Sequence, residues 1–228
     1  MPRTARAVEA DGYYHVLNRG NGRCDLFHKP ADFDAFVRVL AVGLERYPVE
    51  LLAWCLMSNH WHVVVEVSQV EKLSQWVHGI CNRHVRLFHR GRRDLGGGHI
   101  YQGRYKAFRI EDESYLQQVL RYVEANPVRA GLVQRGRDWP WSSLSQDEIK
   151  RGLVAMVRPR LQMWRRDESW EKAVDLPQVS AALEALRQSV LRGTPYGSPD
   201  WVRHLISQHG METTQRPRGR PAKRSVEE

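Results

Sequence analysis

"VELLAWCLMSNHWHVVVEV", residues 49–67, holds two short apolar runs, 49–57 and 60–67, separated by the polar pair Ser58-Asn59. Both runs suit a pleated, half-buried surface and are short for a buried helix, so the stretch predicts an antiparallel hairpin. In the second run His60 and His62 are two residues apart, which on a strand turns both imidazoles to one face and Trp61 to the other. Two imidazoles on one face suit a metal ion. From these residues alone, two half-buried histidines bonded to backbone at a strand end is an equally good reading.

Outward from the hairpin the pattern alternates. "YYHVLNRG" (13–20) has strand composition and runs into the turn-rich "NRGNGR". "PADFDAFVRVLAVGLERY" (30–47) sets Phe33, Phe36, Val37, Leu40 and Leu44 at helical spacing, and "VEKLSQWVHGICNRHVRLFHR" (70–90) does the same with Leu73, Trp76, Val77, Ile80, Val85 and Phe88. "HIYQGRYKAFRI" (99–110) supplies a fourth strand region. The order β-α-β-β-α-β predicts an α+β class, a ferredoxin-like or RRM-like split βαβ sheet with both helices on one face and the other face open. A further helix is expected over 112–127, opened by acidic residues and Ser114 and closed by Pro127 with Gly131 beyond. "RDWPWSS" (137–143) reads as a packed loop, and helical segments at 176–193 and 198–210 precede a basic tail.

Composition narrows the classes. The chain has 228 residues, 42% of them hydrophobic, which is globular and long enough for one full core with an appended piece. No apolar run approaches the roughly 20 residues of a membrane span, and the N-terminus lacks the apolar segment of a secretory signal, so no membrane partner and a cytoplasmic location are expected. Cys24, Cys55 and Cys81 are widely separated, which points to neither a disulfide framework nor a thiolate zinc site. With 35 Lys+Arg against 26 Asp+Glu, the formal charge of +9 favours a polyanionic partner, nucleic acid first.

In "ESYLQQVLRYVEANPV", Tyr115, Tyr122 and Asn126 are spaced by seven and four, near one stripe of a helix whose apolar side is Leu116, Val119, Leu120 and Val123. A tyrosine attacks a phosphodiester where a divalent cation polarises the phosphate. Two imidazoles leave such a cation under-coordinated, and an amide oxygen one turn from the tyrosine would complete a site with open positions. Read without the histidines, a core aromatic and a helix-terminal residue before proline is the stronger account.

Taken together, the "HWH" strand, "LRYVEANPVRAGLV", "YYHVLNRGN", "YQGRYKAF" and "DWPWSS" resemble the REP-associated tyrosine transposases, a branch of the single-tyrosine HUH nucleases, over roughly residues 10–145. The resemblance implies a DNA transposase that cleaves and rejoins single-stranded DNA through a 5'-phosphotyrosine. It assigns His60 and His62, with Asn126 as third ligand, to Mg²⁺ or Mn²⁺, and Tyr122 to the nucleophile, with Tyr115 as its competitor. The implied substrate is single-stranded DNA with hairpin-forming repetitive extragenic palindromes, taken by a monomer or homodimer. Arg19, Arg23, Arg104 and Lys106 are the candidates for phosphate contacts, although solvated surface cations are the commoner case. "RPRGRPAK" (216–223) resembles an AT-hook, implying minor-groove contact with A·T-rich duplex by Arg216, Arg218 and Arg220; a solvated, disordered tail is the alternative.

The chain then divides into a catalytic domain at 1–145, a helical extension at 146–211 with no nameable chemistry and DNA binding as the open option, and a disordered basic tail at 212–228. Two other readings compete. One is a DNA-binding regulator on the same fold that has lost catalysis, against which the intact histidines and Tyr122 argue. The other is an RNA-binding module, which would want stacking aromatics on the face that the histidines occupy.

Overall fold

The computed structural model describes residues 10–91, 98–146, 166–178 and 180–215. The order of elements is as expected: β1 (Gly12–Arg19), α1 (Pro30–Arg46), β2 (Val49–Met57), β3 (His60–Val67), α2 (Val70–Arg90) and β4 (Lys106–Ile110). All neighbours pair antiparallel, in the order β2-β3-β1-β4, the ferredoxin-like arrangement. Met57 pairs with His60 across Ser58-Asn59, so the hairpin closes through a two-residue turn. Among the described residues no helix is long and apolar enough to cross a membrane.

Alternation along the strands sorts the side chains between two layers. Tyr14, Val16, Trp54, Leu56, Trp61, Val63 and Val65 face α1 and α2, meeting Phe36, Val37 and Leu40 from one helix and Leu73, Trp76 and Ile80 from the other. Each such side chain contributes about 2 kcal/mol by leaving water. A register shift between Leu51 and Ala53 inserts one residue, after which Trp54 and Leu56 return to this layer.

The second face is not open. Leu17, Cys55, Met57, Val64, Phe108 and Ile110 lie on it, and α3 (Glu113–Glu124) covers them with Leu116, Val119, Leu120 and Val123. Beyond residue 145, α5 (Glu168–Asp175) and α6 (Ser180–Arg192) add Trp170, Val174 and Leu186 to the same cluster. Apolar strand residues on both faces of a sheet demand two covers, and the helix after β4 is the nearest. Glu124, fully buried, joins the pieces. Its carboxylate takes Arg166 Nε at 2.6 Å, Trp170 Nε1 at 2.7 Å and the Ser143 hydroxyl at 2.6 Å.

Both sheet edges are blunted. The loop after α3 lies along β2, with Leu56 N donating to Trp141 O and Ser143 N to Trp54 O, both at 2.9 Å, while Trp141 stacks on Phe33. At the opposite edge Tyr196 N donates to Arg109 O and Glu111 N to Tyr196 O. Backbone groups that would template another chain are thereby used. The fourth strand is shorter than the sequence pattern suggests, since within 99–105 only Tyr101 forms a ladder bridge, to Gly20.

Pro127 does not close the helix. After α3 a kink at Ala125 leads into α4 (Asn126–Arg129), with Pro127 in its first turn, and Gly131 at φ 68° provides the left-handed stop. Proline has no N–H for the Val123 carbonyl, and Asn126 Nδ2 supplies the missing donor at 3.1 Å. The expected tail boundary at 212 also shifts, because Glu212–Thr214 form a turn with Thr214 buried, its carbonyl held by Arg192 Nη1 at 3.1 Å. Arg216, Arg218 and Arg220 lie outside the described residues. So do residues 147–165. The last described helix is α7 (Pro199–Gln208).

Candidate active site

The histidine strand is fixed by the hairpin turn beside it. Gly20 N donates to Asn59 O at 2.8 Å and Leu26 N to Ser58 O at 2.7 Å, so the segment after β1 clamps the turn. A Cβ at position 20 would stand 2.0 Å from Cys24 O, which is why only glycine fits there. His60 pairs with Arg19, and His62 sits between Leu17 and Cys55. The two rings project together, centroids 5.0 Å apart and nearly perpendicular. Trp61 is fully buried on the other face, its Nε1 donating to the Tyr101 hydroxyl at 3.2 Å.

Hydrogen bonds then decide which nitrogen each ring offers. Asn59 Nδ2 donates to Arg23 O, so its Oδ1 is the atom that faces His60 Nδ1 at 2.6 Å. His60 Nδ1 therefore carries the proton and Nε2 the lone pair. His62 Nδ1 lies 2.8 Å from His15 Nε2, a residue of β1 that sequence patterning passed over. Burial pulls His60 from its ordinary value down to about 4, with Arg19 and Arg129 adding to the effect. Burial likewise holds His15 at about 3 and His62 well below the usual range, so all three rings are neutral near neutral pH. Neither His60 Nε2 nor His62 Nε2 has a hydrogen-bond partner among the described residues.

Tyr122, 8% exposed, lies on the sheet side of α3 with its ring centroid 6.0 Å from His62 and 6.2 Å from His15. Asp112 caps the helix that carries it, accepting from Ser114 N at 2.8 Å and Tyr115 N at 3.2 Å. The Arg129 guanidinium carbon stands 4.1 Å over the Tyr122 ring. Its Nη2 donates to both Tyr122 O and Asn126 Oδ1 at 2.8 Å. Arg129 was legible only as a cation three residues after Asn126. Asn126 sits beside Tyr122 with its amide oxygen turned to Arg129. Tyr115 packs edge-on against Tyr196, centroids 5.4 Å apart, outside the histidine cluster.

A cavity of about 570 Å³ opens beside this group, lined by Tyr122 together with Arg19, Arg23, Arg104, Lys106 and, from α6, Arg187. Arg19, Arg23 and Arg104 are exposed, and no side-chain partner holds them among the described residues. Lys106 differs. Its ammonium donates to Val190 O at 3.0 Å and Leu191 O at 2.6 Å, so two of its three donors cap the end of α6 rather than face the cavity.

Among the described residues no group of three or more His, Cys, Asp or Glu side chains could hold a metal ion. The donors present are two neutral imidazoles on one face, with the Asn126 amide one helical turn from Tyr122. Two such imidazoles suit a divalent cation that keeps open positions, while Asn126 Oδ1 accepts from Arg129 Nη2.

A sheet with paired histidines on one strand and a tyrosine on the helix that covers it is the architecture of the HUH class of nucleases. The family Transposase IS200 like matches residues 9–126, and the chain belongs to it. A Haemophilus influenzae protein of the REP-associated tyrosine transposase type is 28% identical over 111 residues, 45% of this chain and 63% of that protein. The REP-associated tyrosine transposase of Escherichia coli is 24% identical over 106 residues, 46% of this chain and 60% of its own length. The matches thus span less than two thirds of either relative. The structure of a REP-associated tyrosine transposase bound to a REP hairpin superposes with a TM-score of 0.51 at 19% identity, covering 79% of this chain and 94% of that one, a likeness of fold. Family membership implies a metal-dependent mechanism.

Proposed function

We propose that the protein cleaves and rejoins single-stranded DNA at hairpin-forming palindromic repeats, as a tyrosine transposase. The observation that carries this reading is the convergence of His60, His62 and Tyr122, with the tyrosine ring 6.0 Å from the His62 ring. Mg²⁺ or Mn²⁺ held by His60, His62 and Asn126 would offset charge that builds on the phosphate. Tyr122 supplies the attacking oxygen. Its bond to phosphorus forms as the bond to the 3'-oxygen breaks, and the phenolic proton passes through solvent to the departing 3'-oxygen, leaving a 5'-phosphotyrosine and a free 3'-hydroxyl. The reverse attack rejoins the strand without an external energy source. Arg129, with its guanidinium carbon 4.1 Å over the ring, holds the ring in place by a cation–π contact.

Arg19, Arg23 and Arg104 guide the strand into the cavity by phosphate contacts, while Lys106 holds α6 in place. Residues 1–145 carry the chemistry, the helices of 146–211 support it, and the basic residues after 215 add contact with A·T-rich duplex. The test is covalent trapping. Tyr122→Phe and Tyr115→Phe are incubated separately with end-labelled hairpin DNA and Mn²⁺, and denaturation-resistant protein–DNA bands are scored. Tyr122→Phe is expected to lose the band and Tyr115→Phe to keep it. A band that survives in Tyr122→Phe and vanishes in Tyr115→Phe moves the nucleophile, and survival in both ends the tyrosine mechanism.

A further inference from the structure

The matched family region ends at residue 126, yet the wall of the Tyr122 cavity does not. From α6, Arg187 faces that cavity together with Arg19, Arg23 and Arg104. The Arg187 guanidinium is exposed and has no hydrogen-bond or carboxylate partner among the described residues. Glu184 lines the same wall one turn earlier, but its carboxylate accepts from Gln188 Nε2 at 2.8 Å. Arg187 lies near enough to Arg129 for its charge to lower that residue's pKa, alongside the larger effect of burial.

Four guanidinium groups stand around one opening against the single Glu184 carboxylate in its wall, so the surplus positive charge favours entry of an anion. The position of Arg187 is built rather than incidental. Lys106 of β4 caps the last carbonyls of α6, at Val190 and Leu191, which pins the helix against the sheet beside the nucleophile. Leu186, 1% exposed, anchors the adjacent position in the core.

We infer that Arg187 binds a backbone phosphate of the single strand entering the Tyr122 cavity, so that the C-terminal extension completes the DNA site. The inference rests on the DNA-cleaving reading above and assigns the extension a part in it. A guanidinium offers paired donors to a phosphate and keeps its charge at any working pH. The contact carries no base information, and its signature is a salt dependence.

The experiment uses the full chain and fluorescein-labelled oligothymidylate, with affinity measured by anisotropy across a salt series. Each single-strand phosphate contact contributes about 0.7 to the slope of log affinity against log salt. Arg187→Gln is therefore expected to flatten the slope by about 0.7, which between about 50 and 200 mM salt is roughly a 2.5-fold smaller loss of affinity than the wild type suffers. Arg187→Lys should keep the wild-type slope. Arg203→Gln, on α7 outside the cavity lining, should keep it as well. An unchanged slope in Arg187→Gln overturns the inference, as does an equal loss in the Gln and Lys variants or a wild type that binds the strand without salt dependence. Failure of the Tyr122 adduct test would leave this slope unaltered, so the two failures are separable.

Discussion

His62 Nδ1 lies 2.8 Å from His15 Nε2 on the neighbouring strand, both rings being at most 2% exposed. For His62 to present a lone pair at Nε2 its proton must sit on Nδ1 and be donated to His15. His15 then carries its own proton on Nδ1, which is buried and has no partner among the described residues. Replacing His15 by Leu removes the acceptor, and Mn²⁺ affinity is expected to fall on the order of tenfold. His15→Gln keeps an acceptor oxygen and should lose less. Calorimetric titration with Mn²⁺ measures both, and equal affinity in wild type and His15→Leu would discard the role.

Metal removal gives the next expectation. EDTA should abolish adduct formation, and Mn²⁺ or Mg²⁺ should restore it in the wild type. The double variant His60→Ala/His62→Ala should stay inactive at every metal concentration while circular dichroism shows a folded protein. Full cleavage by that variant would sink the metal site.

Glu124 is buried against Arg166, Trp170 and Ser143, so its charge has no water to return to. Glu124→Gln leaves the Arg166 charge without its partner and should cost about 3 kcal/mol. For a chain of this size the melting temperature falls by roughly 6–12 °C. Scanning calorimetry reads the shift. Adding Arg166→Met to Glu124→Gln should recover part of it, and an unaltered melting temperature in the single variant would show the pair to be neutral.

The tail offers a binding prediction without chemistry. "RPRGRPAKR" places five cations within nine residues, 216–224. Truncation after Gln215 keeps the Glu212–Thr214 turn and removes these charges. Duplex affinity should fall and its salt slope flatten by about 0.9 for each phosphate the tail no longer neutralises, with cleavage at saturating enzyme retained. Unchanged affinity at low salt would make the tail a spectator.

How much of this was written in the chain is clearest at particular residues. The strand period placed Trp61 opposite the histidines, and the polar dipeptide Ser58-Asn59 marked the turn. These are local facts, because a two-residue period and a turn need only neighbours. The spacing marks Asn126 as an amide one turn from Tyr122, but its hydrogen bonds to the Val123 carbonyl and from Arg129 depend on a kink that no periodicity signals. His15, Asn59 and Arg129 carry no local signal for the same reason. Each matters through a partner on another element.

By itself, then, the sequence determined the element order, the ferredoxin-like sheet and the pairing of His60 with His62 on one face, since alternation and turn chemistry act over a few residues. Tertiary structure alone decided that the second sheet face is covered, that Lys106 caps α6, and that Arg187 stands in the wall of the Tyr122 cavity. Those outcomes come from packing and buried charge between segments far apart in the chain. Glu124 meets Arg166 across 42 positions because a buried carboxylate must find a cation, whatever the distance along the sequence.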